Sequence, residues 1–361
     1  MSWKGKFVIL TVIALFVGAS FFNLNSSNAQ QTNQATSPTA TPTPEIVEED
    51  DEPLKIDTEV VNVLFSAQDK NRRLMTDLKQ EDVKLLENGQ QQEIVAFSRQ
   101  VDLPISLAIL IDTSQSQERT LPEEKSAAVS FLDSVVRPEK DEVSIVSFTG
   151  ETTLEQGMTN NLTRLRRAIE RVEFVPPSGY IGGRVIVGTP PISGKNQAIQ
   201  GSTAIWDAIW VTSDEVLGPA PEKTRRAIIL LSDGVNTFGQ KKLDEAVQAA
   251  LKSEAVIYSI GIGDDFYGGV DKASLNKISE KTGGRAFFPK DEAELRKAFV
   301  QIQIEMRSQY LIAYAPTNQN RDGSFRTIDI QLTNAELAKQ KVTLTHRKGY
   351  FAKTNKTETK K

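Results

Sequence analysis

The chain of 361 residues contains no cysteine and one histidine, His346. The absence of cysteine excludes disulfide bonds, cysteine nucleophiles and thiolate metal sites, and a single histidine excludes a multi-histidine metal cluster. Any bound metal would therefore need oxygen ligands. The charges nearly balance, with 43 Lys and Arg against 47 Asp and Glu. This balance argues against a nucleic-acid-binding protein, which would normally carry a basic face.

Residues 1–29 have the composition of a secretory signal. Two lysines precede an apolar segment at 7–22, and a small-residue cleavage site ends at Ala29. We expect cleavage before Gln30, which places the rest of the chain outside the cytoplasm, in the periplasm or secreted. The alternative is an uncleaved anchor, the one membrane contact we expect. The apolar segment is short for the ~20 residues that a spanning helix needs.

The chain after the signal changes character several times. Residues 30–54 are rich in Pro, Thr, Gln and acidic residues and predict a disordered linker. Alternating apolar residues in 55–102 and again in 308–352 predict short β-strands. Each flank would be marginally stable alone, so we expect the two to pair into one small β-sandwich. Residues 353–361 form a polar tail.

Residues 103–307 follow a different pattern, in which uninterrupted apolar runs alternate with stretches of helical periodicity. The apolar runs at 105–111, 143–148, 227–231 and 255–262 predict buried strands. The alternation predicts an α/β fold with a doubly wound, mostly parallel sheet covered on both faces. In such sheets, ligands bind at the carboxyl ends of the strands, where the strand order reverses.

Oxygen-bearing side chains follow two of these predicted strands. Asp112, Ser114 and Ser116 come directly after the first apolar run, Asp233 follows the run at 227–231, and Thr203 precedes a predicted helix. Carboxylate and hydroxyl oxygens are the ligands that Mg²⁺ and Mn²⁺ prefer. The sequence therefore predicts a site for a hard divalent cation.

The chain resembles a known family at these positions. The resemblance is to the metal-ion-dependent adhesion site of the von Willebrand factor type A (VWFA) domain, and it is carried in chain order by Asp112-Thr113-Ser114-Gln115-Ser116, Gly201-Ser202-Thr203-Ala204 and Ser232-Asp233-Gly234. It covers roughly residues 104–309. The flanking segments at 82–89, 308–311 and 347–351 resemble a secreted bacterial subfamily, the VWFA-related domain common in acidobacteria.

The resemblance implies a ligand set and a function. Ser114 and Ser116 would bind an octahedral Mg²⁺ directly, Asp112 and Asp233 would bind through water, and Thr203 would become a direct ligand when a partner binds. Mn²⁺ and Ca²⁺ are further candidates for the ion. The implied function is cell adhesion or another protein interaction, in which a partner protein presents an Asp or Glu carboxylate to the metal and no bond is broken.

Two alternatives stay open at this point. The first is a structural envelope protein in which the metal only stabilises the fold. The second is a Mg²⁺-dependent phosphoryl-transfer enzyme with a strand-end Asp as nucleophile. Such enzymes normally carry a second carboxylate two residues later, where this chain has Ser114.

An inserted loop at 176–200 departs from the family pattern. It is long and rich in Gly and Pro, and it leads into the predicted metal face. Long loops of this kind are commonly functional lids or disordered insertions. Our hypothesis is that it shapes partner choice, with Tyr180, Arg184 and Lys195 as contacts. The alternative is a mobile loop without a role.

Overall fold

The fold is described from a computed structural model. The structure describes residues 60–100, 103–176, 180–181, 184–185, 201–221, 224–263 and 268–354. These residues fall within one compact unit, Asp57–Lys361. The predicted signal and linker lie outside the described residues. No helix in the described ranges is long and apolar enough to cross a membrane.

The strands and helices are numbered in chain order. The strands are β1 (Val61–Gln68), β2 (Val83–Glu87), β3 (Gln90–Gln92), β4 (Ile94–Gln100), β5 (Ile105–Asp112), β6 (Glu142–Phe148), β7 (Thr152–Thr159), β8 (Tyr180–Ile181), β9 (Arg184–Val185), β10 (Arg225–Ser232), β11 (Ala255–Gly261), β12 (Ala286–Phe287), β13 (Gln309–Tyr314), β14 (Phe325–Leu332), β15 (Thr343–His346) and β16 (Gly349–Phe351). The helices are α1 (Leu121–Val135), α2 (Leu162–Arg171), α3 (Ile205–Val211), α4 (Leu243–Lys252), α5 (Lys272–Thr282), α6 (Glu292–Arg307) and α7 (Ala335–Lys339).

A six-stranded sheet forms the centre of the α/β part, in the order β12-β11-β10-β5-β6-β7. All neighbouring strands are parallel except β7, which runs antiparallel to β6 at one edge. From β5 the chain builds outward through β6 and β7, then returns to the other side of β5 with β10. The predicted doubly wound, mostly parallel sheet is confirmed, and its strand order reverses between β5 and β10.

Helices cover both faces of this sheet because its central strands are apolar on both sides. Every residue of β5 is buried. Ile109 and Ile111 pack in a cluster with α1, α2 and α6. Ala108 and Leu110 pack in a second cluster with α3, α4 and α5. The alternation explains why the strand reads as a continuous apolar run.

Two four-stranded sheets from the flanks of the chain form the predicted β-sandwich. One has the order β15-β1-β13-β4 and the other β16-β14-β2-β3, so each contains strands from both flanks. Their shared core includes Phe65, Leu85, Tyr310 and Ile330. Neither flank could complete its sheet without the other, which agrees with the marginal stability expected for each alone.

A buried polar cluster lies inside this sandwich. The hydroxyls of Tyr314 and Tyr350 donate to Glu87 at 2.7 and 2.9 Å. Arg326 lies 3.6 Å from the same carboxylate, with a side chain that is 3% exposed. The cluster joins strands from both flanks of the chain, and it satisfies a charge that would be costly to bury alone.

A second polar cluster connects the sandwich to the α/β part. Gln68 at the end of β1 donates to Glu305 of α6 at 2.8 Å, and Arg285 donates to Gln68 at 2.9 Å. Arg285 also forms an ion pair with Glu305. Burial raises the pKa of Glu305, and Arg285 acts against that rise. The last helix of the α/β part is thereby held to the first strand of the sandwich.

Several short or exposed elements were not predicted from the sequence, among them β7 and α7. Strand β7 lies at the sheet edge, and all of its residues are exposed or half-buried, so it carries no apolar run. Helix α7 has no buried residue. In addition, α3 begins at Ile205 rather than Thr203, because the Thr203 carbonyl accepts hydrogen bonds from Thr237 and Phe238 outside the helix.

His346 is buried in the sandwich at 2% exposure. Its Nε2 accepts a hydrogen bond from the Ile330 amide at 3.3 Å, and its Nδ1 lies 2.8 Å from the Arg347 carbonyl. This pattern requires the neutral ring with the proton on Nδ1. Burial lowers the pKa of His346 to about 4.

We predict that His346 makes the protein less stable in acid. Between pH 6.5 and 4 the unfolded chain binds a proton here that the folded protein does not. The free energy of unfolding should therefore fall by about 3 kcal/mol across this range relative to a His346→Gln variant. Urea unfolding of both proteins at several pH values measures the difference. A difference that does not change with pH would contradict the prediction.

Candidate metal centre

The candidate site lies at the carboxyl ends of β5 and β10, where the strand order reverses. The two strands pair in parallel, with Ile111 beside Leu231. Asp112 ends β5 and Ser232 ends β10, so the motifs that follow the two strands emerge side by side. This is the position at which sheets of this class bind ligands.

Hydrogen bonds to both of its oxygens fix the Asp112 carboxylate. The Ser114 amide donates to Oδ1 at 2.9 Å. The Ser232 hydroxyl donates to Oδ2 at 2.7 Å, and it accepts from the Gly234 amide at 3.1 Å. Asp112 and Ser232 are both fully buried. Ser232 at the end of β10 thus orients the Asp112 carboxylate at the end of β5.

The two serines of the first motif lie side by side. After Asp112 the chain makes a short 3₁₀ turn, Gln115–Gln117, which places the Ser114 and Ser116 hydroxyl oxygens 3.2 Å apart. Gln117 fixes this turn to the residue that follows β11, since its buried side-chain amide donates to the Ile262 carbonyl at 3.2 Å. Two hydroxyl oxygens therefore face one point beside Asp112.

Asp233 is held by the loop that follows β10. Its Oδ1 accepts from the Val235 amide at 2.8 Å, and its carbonyl accepts from the Asp271 amide at 2.7 Å. Gly234 has φ +83°, and a Cβ there would lie 2.7 Å from Leu275 Cγ. Only glycine fits this turn, which explains the Asp-Gly pair.

Backbone contacts bring Thr203 to the same edge of the sheet. Its amide donates to the Thr237 hydroxyl at 2.9 Å, and the next amide, Ala204, donates to the Thr149 carbonyl just after β6 at 2.7 Å. None of these hydrogen bonds uses the Thr203 hydroxyl. Thr203 is therefore fixed between the loops that follow β6 and β10.

Negative charge accumulates in this buried region. Burial and the nearby charge of Asp233 raise the pKa of Asp112 to about 7, against hydrogen bonds from Ser114 and Ser232. Burial also raises the pKa of Asp233, and the Ser116 hydroxyl acts against that rise. Within the described part of the chain, neither carboxylate forms an ion pair. A cation would supply the missing positive charge.

The residues present suit a hard divalent cation. In an octahedral Mg²⁺ shell, adjacent ligand oxygens lie about 2.9 Å apart, close to the 3.2 Å between the two serine hydroxyls. The described residues contain no group of three or more His, Cys, Asp or Glu side chains that could hold a metal ion. Hydroxyl groups would therefore have to complete any ligand set built on Asp112 and Asp233.

Comparison with known families agrees with this geometry. Two overlapping family profiles, both described as von Willebrand factor type A domain, match residues 107–236 and 193–301. The chain contains a von Willebrand factor type A domain. Both profiles overlap the α/β part of the chain, and together they include all five predicted metal ligands. No curated protein matches the chain.

Several solved structures resemble the chain. Proximal thread matrix protein 1 from the mussel byssus is 21% identical, with a TM-score of 0.46, and the match covers 61% of this chain and 51% of that one. A further structure of it has a zinc-occupied MIDAS motif. A von Willebrand factor type A protein from Catenulispora acidiphila is 13% identical, with a TM-score of 0.44 and coverage of 74% and 75%. An aerotolerance-related membrane protein from Bacteroides fragilis is 17% identical, with a TM-score of 0.41 and coverage of 56% and 100%.

The chain spans about half the length of the byssus structure that it matches. These structures are similar to the chain only at low identity and with TM-scores below 0.5.

The predicted residues of the type A domain do not all meet in the described structure. Asp112, Ser114, Ser116 and Asp233 are brought together, and Thr203 is fixed at the same edge. Tyr180 and Arg184 lie in the short antiparallel pair of β8 and β9, where Ile181 pairs with Arg184. Lys195 lies outside the described residues. The predicted loop contacts therefore remain a hypothesis.

Two residues of this type A domain were missed as functional candidates. Ser232 lies within the Ser232-Asp233-Gly234 motif, and its position beside Asp112 follows only from the strand register. Glu124 lies in the first turn of α1 and is fully buried. Its spacing from Leu121 and Ala128 places it on the apolar face of the helix. An acidic residue on an apolar face was the sequence signal that could have identified it.

We predict that Ser232→Ala destabilises the protein. The change leaves Asp112 Oδ2 and the Gly234 amide without their partner in a buried region, which should cost about 2 kcal/mol of unfolding free energy. Urea unfolding in EDTA measures this. The control is Ser130→Ala on the exposed side of α1, which should change stability little. Equal effects of the two substitutions would contradict the role assigned to Ser232.

Proposed function

We propose that this type A domain is a metal-dependent protein-interaction module. Asp112, Ser114, Ser116, Thr203 and Asp233 would hold a divalent cation, with Mg²⁺ the first candidate and Mn²⁺ and Ca²⁺ the others. The partner would be a protein that presents an Asp or Glu side chain. We further propose, from residues 1–29 alone, that the chain acts outside the cytoplasm.

One observation carries the proposal. Two serine hydroxyls 3.2 Å apart lie beside two buried carboxylates at the switch point of the sheet, and the described residues give those carboxylates no ion pair. Buried charge of this kind is costly unless it is paired or coordinates a metal. The arrangement therefore favours cation binding over a purely polar cluster.

The chain's own residues would divide the work. Asp112 uses both oxygens as acceptors inside the protein, so it is suited to orient the serines and to act through water. Ser114 and Ser116 offer neutral oxygens. A cation held mainly by neutral ligands keeps much of its positive charge, and it would supply a Lewis-acidic position for an incoming carboxylate.

The phosphoryl-transfer alternative is disfavoured by the residue two positions after Asp112. Such enzymes normally carry a second carboxylate there, and this chain has Ser114. We therefore propose no catalytic activity. Tyr180 and Arg184, which lie in the paired strands β8 and β9, and Lys195 stay proposed partner contacts.

We predict that Mg²⁺ stabilises the protein through the two serines. A ligand at 100 times its Kd adds about 2.7 kcal/mol of stability, which corresponds to a rise of roughly 5–10 °C in Tm for a domain of this size. Ser114→Ala should lose most of this rise, and Ser130→Ala should keep it. Differential scanning calorimetry of the full chain, with Mg²⁺ or with EDTA, measures the shift. A full rise in Ser114→Ala would place the cation elsewhere.

We predict that capture of a partner needs both the metal and a carboxylate. The immobilised chain should retain a protein from the organism's envelope extract in Mg²⁺ and release it in EDTA, because the metal bridges the two. Retention should fail with Ser116→Ala and persist with Ser130→Ala.

Chemical modification of the extract tests the carboxylate directly. Converting its carboxyl groups to amides before capture should abolish retention, whereas methylation of its lysines, which keeps their charge, should not. Retention in EDTA, or retention of the amidated partner, would contradict the adhesion mechanism.

A further inference from the structure

Glu124 is a buried acid that the fold does not explain. It lies in the first turn of α1, it is 0% exposed, and neither carboxylate oxygen has a hydrogen-bond partner in the described structure. Its neighbours on the same helix face are apolar, among them Leu121 and Ala128. Buried polar groups are nearly always hydrogen-bonded, so an unpaired carboxylate in a packed core needs a reason.

Stabilisation of the helix is not that reason. Acids in a first turn interact favourably with the helix dipole, and the exposed Glu123 already offers that interaction from the solvent side. The Thr120 hydroxyl donates its hydrogen to Gln117 Oε1 at 2.7 Å, in the turn that carries Ser116. That hydrogen is therefore not donated to Glu124. Burial of Glu124 thus lowers the stability of the fold, and no contact in the described structure offsets this.

Glu124 lies close to the turn that carries Ser116. Its amide donates to the Thr120 carbonyl at 3.0 Å, and Thr120 contacts Gln117, whose side-chain amide lies 3.5 Å from the Ser116 hydroxyl. Burial is the main cause that raises the pKa of Glu124 to about 8; the Thr120 hydroxyl acts against this rise, and the charges of Asp112 and Asp233 add to it. The three acids do not form a cluster close enough to share one ion, since the described residues contain no such group. Glu124 therefore lies near the centre but outside its ligand shell.

We propose that Glu124 is the outer carboxylate of this metal centre, where it accepts a hydrogen bond from a cation-bound water and raises the affinity for the cation. This inference rests on the proposed function. Outer carboxylates of metal sites orient the ligands they contact, and their loss typically weakens metal binding 10- to 100-fold. A cation would also offset the cost of burying this third acid.

The matched pair Glu124→Gln and Glu123→Gln tests the proposal. Both variants replace a Glu by its neutral isostere in the same helical turn, but only Glu124 is buried. Titration calorimetry with Mg²⁺ on the full chain should show about tenfold weaker binding for Glu124→Gln and a change of less than about twofold for Glu123→Gln. In EDTA, Glu124→Gln should be at least as stable as the wild type, because it removes a buried acid.

The Mg²⁺ affinity and the stability in EDTA together distinguish a role in metal binding from a role in packing. A purely structural role for Glu124 would change the stability in EDTA and leave the Mg²⁺ affinity unchanged, and that result would overturn the proposal. An equal loss of affinity in both variants would also overturn it, because it would show a general charge effect. If the wild type itself binds no Mg²⁺, Mn²⁺ or Ca²⁺, the proposed function fails and this inference fails with it.

Discussion

The buried negative charge at one edge of the central sheet is the constraint on which the site depends. Asp112 ends β5 and Asp233 directly follows the neighbouring parallel strand β10, in a buried region where an unpaired charge is costly. The surrounding contacts hold them there: the Ser232 hydroxyl and the Ser114 amide fix Asp112, and the Val235 amide fixes Asp233. A stable, preorganised pair of acids follows, and a cation is the simplest chemical group that resolves their repulsion.

The central fold could be predicted from the sequence because its strands are buried on both faces. Strands β5 and β10 contain runs of Ile, Leu and Ala that no amphipathic element would show, and the helices between them repeat at helical spacing. Strand β7 could not be found in this way, since an edge strand with half-exposed residues carries no such pattern. The pairing of the two flanks into one sandwich was predictable from their weakness alone, but the order of its strands was not.

The candidate site was predictable to a different degree at each residue. Asp112, Ser114, Ser116 and Asp233 follow strands directly, so sequence spacing places them at one edge. The position of Thr203 is set by hydrogen bonds from the amides of Thr237 and Phe238, which the sequence does not show. The predicted start of α3 at Thr203 was therefore two residues too early. The spacing of Glu124 from Leu121 and Ala128 distinguishes it in the sequence from the exposed Glu123. That its carboxylate lacks a hydrogen-bond partner follows only from the packing.

The type A domain enters and leaves the sandwich through two adjacent strands. β4 and β13 pair with Gln100 beside Gln309, so the chain departs and returns at nearly one point. Both ends of the type A domain are therefore fixed side by side in one sheet by backbone hydrogen bonds. The contact between Gln68 and Glu305 gives the domain a second attachment to the same sheet. The orientation of the domain on the sandwich thus depends on these few strand-end contacts.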